Sequence, residues 1–256
     1  HLGHGRGGII GDVLGNILRF LGHDVTKEYY INDAGSQIKK LGNSFKIRCQ
    51  QVAGLDITLP EEGYQGEYLL NLAKDFIKKH GKEVLNKDEE FFANEARELL
   101  LQMIKNTLKN YGIEIDVWFS EKILHDNNAV VNILDYLEKN NFLYVKDGAL
   151  WFKSTEFGDD KDRVLRKAND ELTYISSDAA YLKDKMDRGF DKLIMILGQD
   201  HHSYVVRLKG LMEALGYKKG QLDVILYQLV TMKESGEIFR MSKRTGKIVT
   251  LEDVIN

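Results

Sequence analysis

The stretch HLGHGRGG, residues 1–8, opens the chain, and apolar residues then recur at helical spacing from Ile9 to Leu21, before Gly22. Such spacing predicts a helix with one apolar face, and a glycine directly after it predicts the end of that helix. A glycine-rich turn that leads into a helix normally follows a strand of an open α/β sheet. We therefore expect an α/β fold whose first strand precedes His1, so that the chain is an incomplete domain.

The remainder of the chain alternates predicted strands with predicted helices, which favours a parallel sheet. Residues 192–197 and 222–231 are predicted strands, and a helix is predicted over 203–215 between them. Asp147-Gly148 lies between two apolar runs, which is typical of a β-hairpin. We predict that residues 114–173 form a hairpin-containing insertion between two halves of the sheet.

The composition indicates a folded protein of 256 residues, with 43% hydrophobic and 29% charged residues. No apolar run approaches the ~20 residues of a membrane span, and no signal peptide is recognisable, so we expect a cytoplasmic protein without membrane contact. The net charge of −3 argues against a dedicated nucleic-acid module, because such modules are usually basic. The single cysteine, Cys49, excludes an intrachain disulfide and is interpreted as a small buried hydrophobe.

His1, Gly3 and His4 form the first candidate site, because they lie where the first helix should begin. A helix N-terminus offers unpaired N–H groups and a positive dipole end, and both favour phosphate. Gly3 would let a nucleotide approach the backbone, and the two imidazoles could donate hydrogen bonds to phosphate oxygens. Taken alone, this pattern is more often a tag remnant or a pair of surface histidines.

The second candidate site is RMSKRTGK, residues 240–247, which carries four cations within eight positions. A basic loop can close over a polyphosphate and neutralise its charge during a reaction. The alternative is an ordinary solvated basic loop, which is common for charge clusters.

Taken together, the early His-x-Gly-His and Met241-Ser242-Lys243, about 240 residues later, resemble the paired signatures of class I aminoacyl-tRNA synthetases. The second motif departs from its usual form, which begins with Lys and ends with Ser, because Arg240 and Arg244 hold those places. Lys243 is retained and Arg240 keeps a positive charge, so we expect the loop to work.

Further segments are similar to bacterial arginyl-tRNA synthetases and follow the same order along the chain. They are YYINDAG at 29–35, DVWFSE at 116–121, FGDDKDRV at 157–164, GQDHH at 198–202, MSKRTG at 241–246 and VTL at 249–251. Other class I synthetases share the first and last motifs but not the middle ones. The resemblance covers nearly the whole chain and indicates the arginine-specific family.

This resemblance implies a Rossmann-like nucleotide-binding fold over residues 1–256, with the family's N-terminal and anticodon-binding domains absent from the chain. It implies ATP-dependent activation of L-arginine and transfer to tRNA(Arg), by a protein that we expect to be a monomer. Magnesium is expected to arrive with ATP, and we expect no structural metal.

The resemblance also implies which residues act. The catalytic residues would be His1, His4 and Lys243. ATP would be bound by His1, Gly3, His4, Gly198, Asp200, Met241, Ser242 and Lys243. Arginine would be bound by Tyr174, Asp178 and Gln199, since a guanidinium needs a carboxylate and often an aromatic face.

Each of these assignments has a plainer alternative. Tyr174 could be a core tyrosine and Asp178 an ordinary helix cap. His201 and His202 point in different directions on a forming helix and lack a third zinc ligand, so we expect no zinc there. The acidic residues of 159–162 could bind magnesium, but we favour a solvated acidic loop.

Two other functions also remain open. A nucleotidyltransferase that uses no tRNA should lack the long insertion at 114–173, and a non-catalytic tRNA-binding paralogue should have lost His4 or Lys243.

Overall fold

The computed structural model describes residues 2–234, 237–239, 250–251 and 253. The helices are α1 Leu2–Phe20, α2 Ser36–Val52, α3 Glu67–His80, α4 Glu89–Asn110, α5 Lys122–Asp126, α6 Ala129–Lys139, α7 Tyr174–Asp187 and α8 Tyr204–Ala214. The strands are β1 Glu28–Ile31, β2 Val117–Ser120, β3 Leu143–Lys146, β4 Ala149–Phe152, β5 Arg163–Arg166, β6 Leu193–Gly198, β7 Leu222–Tyr227, β8 Met232–Glu234 and β9 Glu237–Phe239. No helix in the described part of the chain combines the length and apolarity that crossing a bilayer requires.

Two compact units divide the chain. The first comprises His1–Tyr29, Asp33–Trp118 and Val230–Asn256, and the second comprises Tyr30–Asn32 and Phe119–Leu229. Most of the predicted insertion, 114–173, lies in the second unit together with β6 and β7. The limits of the insertion remain a prediction.

Helices α2, α3 and α4 enclose the apolar core of the first unit. A Cβ on Gly42 would lie 2.6 Å from the Cα of Ala93, so glycine is required where α2 meets α4. Cys49 is fully buried in this core, and burial raises the pKa of its thiol to about 12, which confirms its interpretation as a small hydrophobe. The buried core residues are Leu41, Phe45, Cys49, Leu69, Ala73, Phe76, Val84, Phe92 and Ala96.

Helix α7 is central to the second unit, where it contacts α5, α6, α8 and β5. Ala179, Ala180 and Leu182 on this helix are almost completely buried. Helix α7 begins at Tyr174, with Thr173 as its N-cap. Tyr174 and Asp178 therefore occupy consecutive turns of one helix face.

The sheets confirm an α/β fold with parallel strands. Strands β6 and β7 pair in parallel, from Leu193 opposite Leu222 to Gly198 opposite Tyr227. Strands β1 and β2 also run in the same direction, because Val117 N–H donates to the Lys27 carbonyl and Glu121 N–H donates to the Ile31 carbonyl.

The predicted hairpin is confirmed inside the antiparallel sheet β3-β4-β5. Lys146 pairs with Ala149, and Asp147 and Gly148 between them have φ values of 52° and 74°. Positive φ at both central residues is what a two-residue hairpin of type I′ requires, and Asp-Gly accommodates it. Strands β8 and β9 form a further antiparallel pair.

Candidate functional site

The first candidate site lies at the N-terminus of α1. This helix begins at Leu2, so Gly3 and His4 stand in its first turn, with Gly3 buried and His4 exposed. The prediction that this motif opens a helix is confirmed. His1 lies outside the described residues.

A buried ion pair anchors α1 to the start of β1. Lys27 Nζ donates to Asp12 Oδ1 over 2.6 Å, and the two side chains are only 6% and 10% exposed. Asp12 also accepts the backbone N–H of Glu114 over 3.1 Å and the side-chain amide of Asn16 over 2.9 Å. Burial alone raises the pKa of Asp12, but Lys27 and these hydrogen bonds outweigh it and lower the pKa. The carboxylate therefore stays ionised and holds α1 in place.

The chain returns to α1 just after the basic motif. Leu251 is buried, packs against Gly5 and accepts a hydrogen bond from the Tyr111 hydroxyl through its backbone carbonyl. Thr250 and Asp253 form a reciprocal capping pair, since each accepts a hydrogen bond from the backbone N–H of the other.

Residues 240–247 themselves lie outside the described residues. The predicted site residues Met241, Ser242 and Lys243 belong to this segment, as do Arg240 and Arg244. Their assignment therefore remains a prediction.

The second candidate site centres on Asp178 of α7. The Tyr204 hydroxyl, at the first residue of α8, donates a hydrogen bond to Asp178 Oδ2. The alternative of a helix-capping Asp178 is wrong, because Thr173 holds the cap position. The alternative of a core tyrosine is also wrong, because Tyr174 is 69% exposed.

The surroundings of Asp178 are unusual for a carboxylate. Burial raises the pKa of Asp178 to about 6, and the negative charge of Glu121 adds to that shift. The Tyr204 hydrogen bond and the more distant His201 and Lys185 oppose it without cancelling it. Within the described chain, Asp178 forms no ion pair at salt-bridge distance. Such a carboxylate is suited to receive a cation.

Two side chains at this site, Tyr204 and Glu121, were not identified from the sequence. Glu121 is 6% exposed and directly follows β2, at the carboxyl end of a parallel strand, where ligands of open α/β sheets bind. That position was a usable signal for Glu121. No spacing pattern signals Tyr204, because its role depends on how α8 meets α7.

Gly198, Gln199 and Asp200 lie at the carboxyl end of β6, as predicted. Gln199 and Asp200 are exposed in a short 3₁₀ turn. A Cβ on Gly198 would lie 2.4 Å from Asp200 Oδ1, so glycine allows the carboxylate to rest against the backbone. Asp200 is thereby presented at the strand end, where it could accept hydrogen bonds from a ribose.

An open pocket of about 220 Å³ lies beside Tyr174 and Tyr204. Its walls come from β5, α7 and α8, and its lining residues are Arg163, Val164, Thr173, Tyr174, Ile175, Tyr204 and Arg207. Gln199 and Asp178 do not line this pocket, although the Tyr204 hydroxyl reaches Asp178. The structure therefore joins Tyr174, Tyr204 and Asp178 and leaves Gln199 apart from the pocket.

The acidic segment 159–162 corrects one expectation. Asp159 is only 4% exposed and accepts hydrogen bonds from Arg163 Nε and Nη2 over 2.7 and 2.8 Å. Asp162 accepts from Tyr144 and from the backbone and hydroxyl of Thr155. Asp160 is 75% exposed but also pairs with Arg163, so all three acids make structural contacts. The prediction of a simply solvated loop is wrong for Asp159 and Asp162. Across residues 2–234 and the short described segments beyond, no three acidic, His or Cys side chains are grouped to hold a metal.

Comparison with known proteins identifies the family of the chain. The family model described as "tRNA synthetases class I (R), catalytic domain" matches residues 1–256. Arginine–tRNA ligase of Desulforamulus reducens is 48% identical over 259 residues, covering 100% of this chain and 46% of that protein. Arginine–tRNA ligase of Bacillus subtilis is 46% identical over 259 residues, covering 100% of this chain and 47% of that protein.

A solved structure is also similar. The crystal structure of a Campylobacter jejuni protein assigned to the arginyl-tRNA synthetases aligns with a TM-score of 0.90 and 37% identity, covering 100% of this chain and 56% of that one. The chain thus spans about half the length of the curated relatives it matches.

Proposed function

The chain belongs to the class I tRNA synthetase (R) catalytic-domain family, and on that premise we propose that it activates L-arginine with ATP and charges tRNA(Arg). The activity would be that of an arginine–tRNA ligase, performed by the full-length protein. Because the chain spans about half of its relatives, we expect little activity from this segment alone.

One observation carries the choice of substrate: Asp178 is a partly buried carboxylate without an ion-pair partner among the described residues. A guanidinium supplies the missing charge and can donate two parallel hydrogen bonds to a carboxylate. Tyr174, one helical turn earlier, offers an exposed aromatic ring and a hydroxyl. Gln199, exposed at the end of β6, would contact the arginine from the strand side. We assign Tyr174, Asp178 and Gln199 to arginine binding.

The first chemical step joins the arginine carboxylate to ATP. A carboxylate oxygen attacks the α-phosphorus, the bond from that phosphorus to the bridging oxygen breaks, and pyrophosphate leaves as arginyl-adenylate forms. A carboxylate is already nucleophilic at pH 7, so the step needs positioning and charge stabilisation rather than a general base. We assign the imidazoles of His1 and His4 and the ammonium of Lys243 to the triphosphate.

The second step transfers the arginyl group to RNA. The 2′-hydroxyl of the terminal tRNA adenosine attacks the carbonyl carbon, the bond from that carbon to the phosphate oxygen breaks, and AMP leaves with the bonding electrons while the hydroxyl proton passes to the departing phosphate or to solvent. The reaction conserves the acyl group and requires no oxidant or reductant.

The remaining ATP contacts follow from the positions of small and polar residues. Gly3 and Gly198 would let the nucleotide approach the backbone, Asp200 would accept from a ribose hydroxyl, and Met241 and Ser242 would flank Lys243. Magnesium would enter as the counter-ion of ATP, as part of the substrate rather than in a protein cage. We further propose a cytoplasmic monomer whose partner is tRNA(Arg).

The proposal is tested by ATP–pyrophosphate exchange on the full-length protein, with each amino acid in turn and with and without tRNA. Among the amino acids tested, only arginine should support exchange. Exchange with a different amino acid would overturn the proposed substrate. Exchange without charging of any tRNA would favour a nucleotidyltransferase of another kind, and RNA binding without exchange would favour a non-catalytic paralogue.

A further inference from the structure

We infer that Tyr204 is a positioning residue for arginine selection, because its hydroxyl fixes the carboxylate of Asp178 in the orientation that a guanidinium needs. This inference rests on the proposed function and adds a residue that lies outside every motif singled out from the sequence. Tyr204 would act through Asp178 rather than on the reacting atoms.

The first support is the geometry of the hydrogen bond. The Tyr204 hydroxyl donates to Oδ2 of Asp178, so one lone pair of that oxygen is occupied and rotation of the carboxylate is restrained. Oδ1 and the second lone pair of Oδ2 stay available to a ligand. A guanidinium is planar and binds a carboxylate through two parallel bonds, so its affinity depends on the direction of the carboxylate plane.

The second support is the set of contacts that hold Tyr204 itself. The Arg207 guanidinium lies 5.4 Å from the centre of the Tyr204 ring, a cation–π distance. Arg207 Nε is 3.6 Å from the buried Oδ2 of Asp159, and Asp159 is held by two hydrogen bonds from Arg163. A chain of contacts therefore runs from the acidic segment 159–162, just before β5, through α8 to Asp178.

Asp187, which is also on α7, accepts a second tyrosine hydrogen bond and provides a comparison for Asp178. The Tyr217 hydroxyl donates to Asp187 Oδ1 over 3.1 Å, and Asp187 is 55% exposed and paired with Lys183. There the negative charge is already neutralised by a lysine and by water. Asp178 has the same kind of tyrosine bond but no ion-pair partner in the described chain, so the pair is complete only when a cation binds.

The burial of Asp178 agrees with this interpretation. Burial and the charge of Glu121 raise the pKa of Asp178, while the hydrogen bond from Tyr204 lowers it. Tyr204 thus helps to keep Asp178 ionised as well as oriented, and both effects favour a cationic ligand.

The test compares Tyr204→Phe, Asp178→Asn and the double variant in the full-length protein, by arginine-dependent ATP–pyrophosphate exchange at pH 8 with tRNA present. Tyr204→Phe should raise the KM for arginine about 10-fold or more, as expected for a lost hydrogen bond to a charged group, with the KM for ATP unchanged. Because Tyr204 acts through Asp178, the substitution should add little to Asp178→Asn. Tyr217→Phe is the matched control and should leave both constants unchanged.

Each outcome separates the inference from the function on which it rests. If Asp178→Asn leaves the KM for arginine unchanged, the proposed arginine site is wrong. If Asp178→Asn raises it but a folded Tyr204→Phe does not, the role of Tyr204 alone is wrong. Effects that add fully in the double variant also overturn that role. Arg207→Met provides a second test. It removes the guanidinium that stacks on the Tyr204 ring but retains the Tyr204 hydroxyl, and it should raise the KM for arginine.

Discussion

A side-chain carbon on Gly5 would lie 2.2 Å from Cδ2 of Leu251, so the chain just after the basic motif packs against the first turns of α1 at a position that carries no side chain. Leu251 is 6% exposed, and its carbonyl accepts the Tyr111 hydroxyl. Gly5, next to His4, is therefore in contact with Leu251, which follows the basic motif in the chain. This contact supports the proposal that His4 and Lys243 act on one triphosphate.

The effect of Gly5→Ala on stability should depend on residue 251, and it should change sign when Leu251 is replaced by alanine. In the wild-type background the added methyl meets buried Leu251, and overpacking should lower the free energy of unfolding by about 1–3 kcal/mol. In a Leu251→Ala background the same change should raise it by up to about 1 kcal/mol, because alanine favours a helix over glycine. Urea unfolding of the four proteins measures this.

Gly8→Ala is the matched control on the same helix. A Cβ there would meet Ile113 and Leu108 at 3.5 and 3.7 Å, which are ordinary contacts, so this change should stabilise in both backgrounds. A Gly5→Ala variant that behaves like Gly8→Ala would contradict the close contact with Leu251.

Lys27→Met should destabilise the protein by about 3–5 kcal/mol, since it leaves the Asp12 carboxylate buried without its cation. Lys167→Met removes an ion pair whose side chains are 52% and 57% exposed, and it should cost less than about 1 kcal/mol. Chemical denaturation at pH 7 compares the two. Similar losses would mean that the Asp12–Lys27 pair is not the anchor of α1.

Asp178→Asn should stabilise the ligand-free protein, and the gain should depend on pH. The pKa of Asp178 is raised from 3.8 to about 6, so folding opposes its ionisation, and the native carboxylate destabilises the fold above pH 6. At pH 8 the variant should gain up to about 3 kcal/mol, and the gain should shrink as the pH falls through 6 towards 3.8. Thermal unfolding at pH 5 and pH 8 measures the difference, and a gain independent of pH would contradict the raised pKa.

Lys243→Ala should lower the kcat of ATP–pyrophosphate exchange by about 10²–10³ while changing the KM for arginine little, because the ammonium would act on the transition state. Lys247→Ala provides the control, as a second lysine of the same basic stretch. Small and equal changes in kcat and KM for Lys243→Ala would count against its role.

Much of the fold could be predicted from the sequence. The hairpin at Asp147-Gly148 and the helix that begins at the His-x-Gly-His motif follow from local turn chemistry and apolar spacing, and both are confirmed. The parallel pair β6–β7 follows from the alternation of strands and helices. Local patterns were sufficient here because each element is specified by residues close together in the chain.

The packing of α1 could not be predicted in the same way. Its apolar spacing predicted that Ile9, Val13 and Ile17 lie on the face that is buried, yet these residues are 43%, 50% and 51% exposed. The buried positions of α1 are instead Gly3, Gly5, Gly15 and Asp12. Close approach at glycines and a buried ion pair depend on residues far along the chain, which apolar periodicity does not register.

The candidate site likewise contains residues that the sequence identified and residues that it did not. Tyr174 and Asp178 were identified by resemblance, and the structure places them on one helix face. Tyr204 depends on the tertiary contact between α7 and α8, which has no signature in either segment. The favoured interpretation of residues 159–162 as a solvated loop failed because a short acidic run looks the same whether its charges face water or a buried arginine.

The most direct test of the central claim is charging of tRNA(Arg) with labelled arginine by the full-length protein, measured for the wild type and for Asp178→Asn. We predict that the wild type charges tRNA with arginine, and that the variant loses about 10²–10³ in kcat/KM for arginine with its KM for ATP unchanged, because a guanidinium loses its buried partner. Failure of the wild type to charge with arginine, or equal charging by a folded Asp178→Asn protein, would contradict the account.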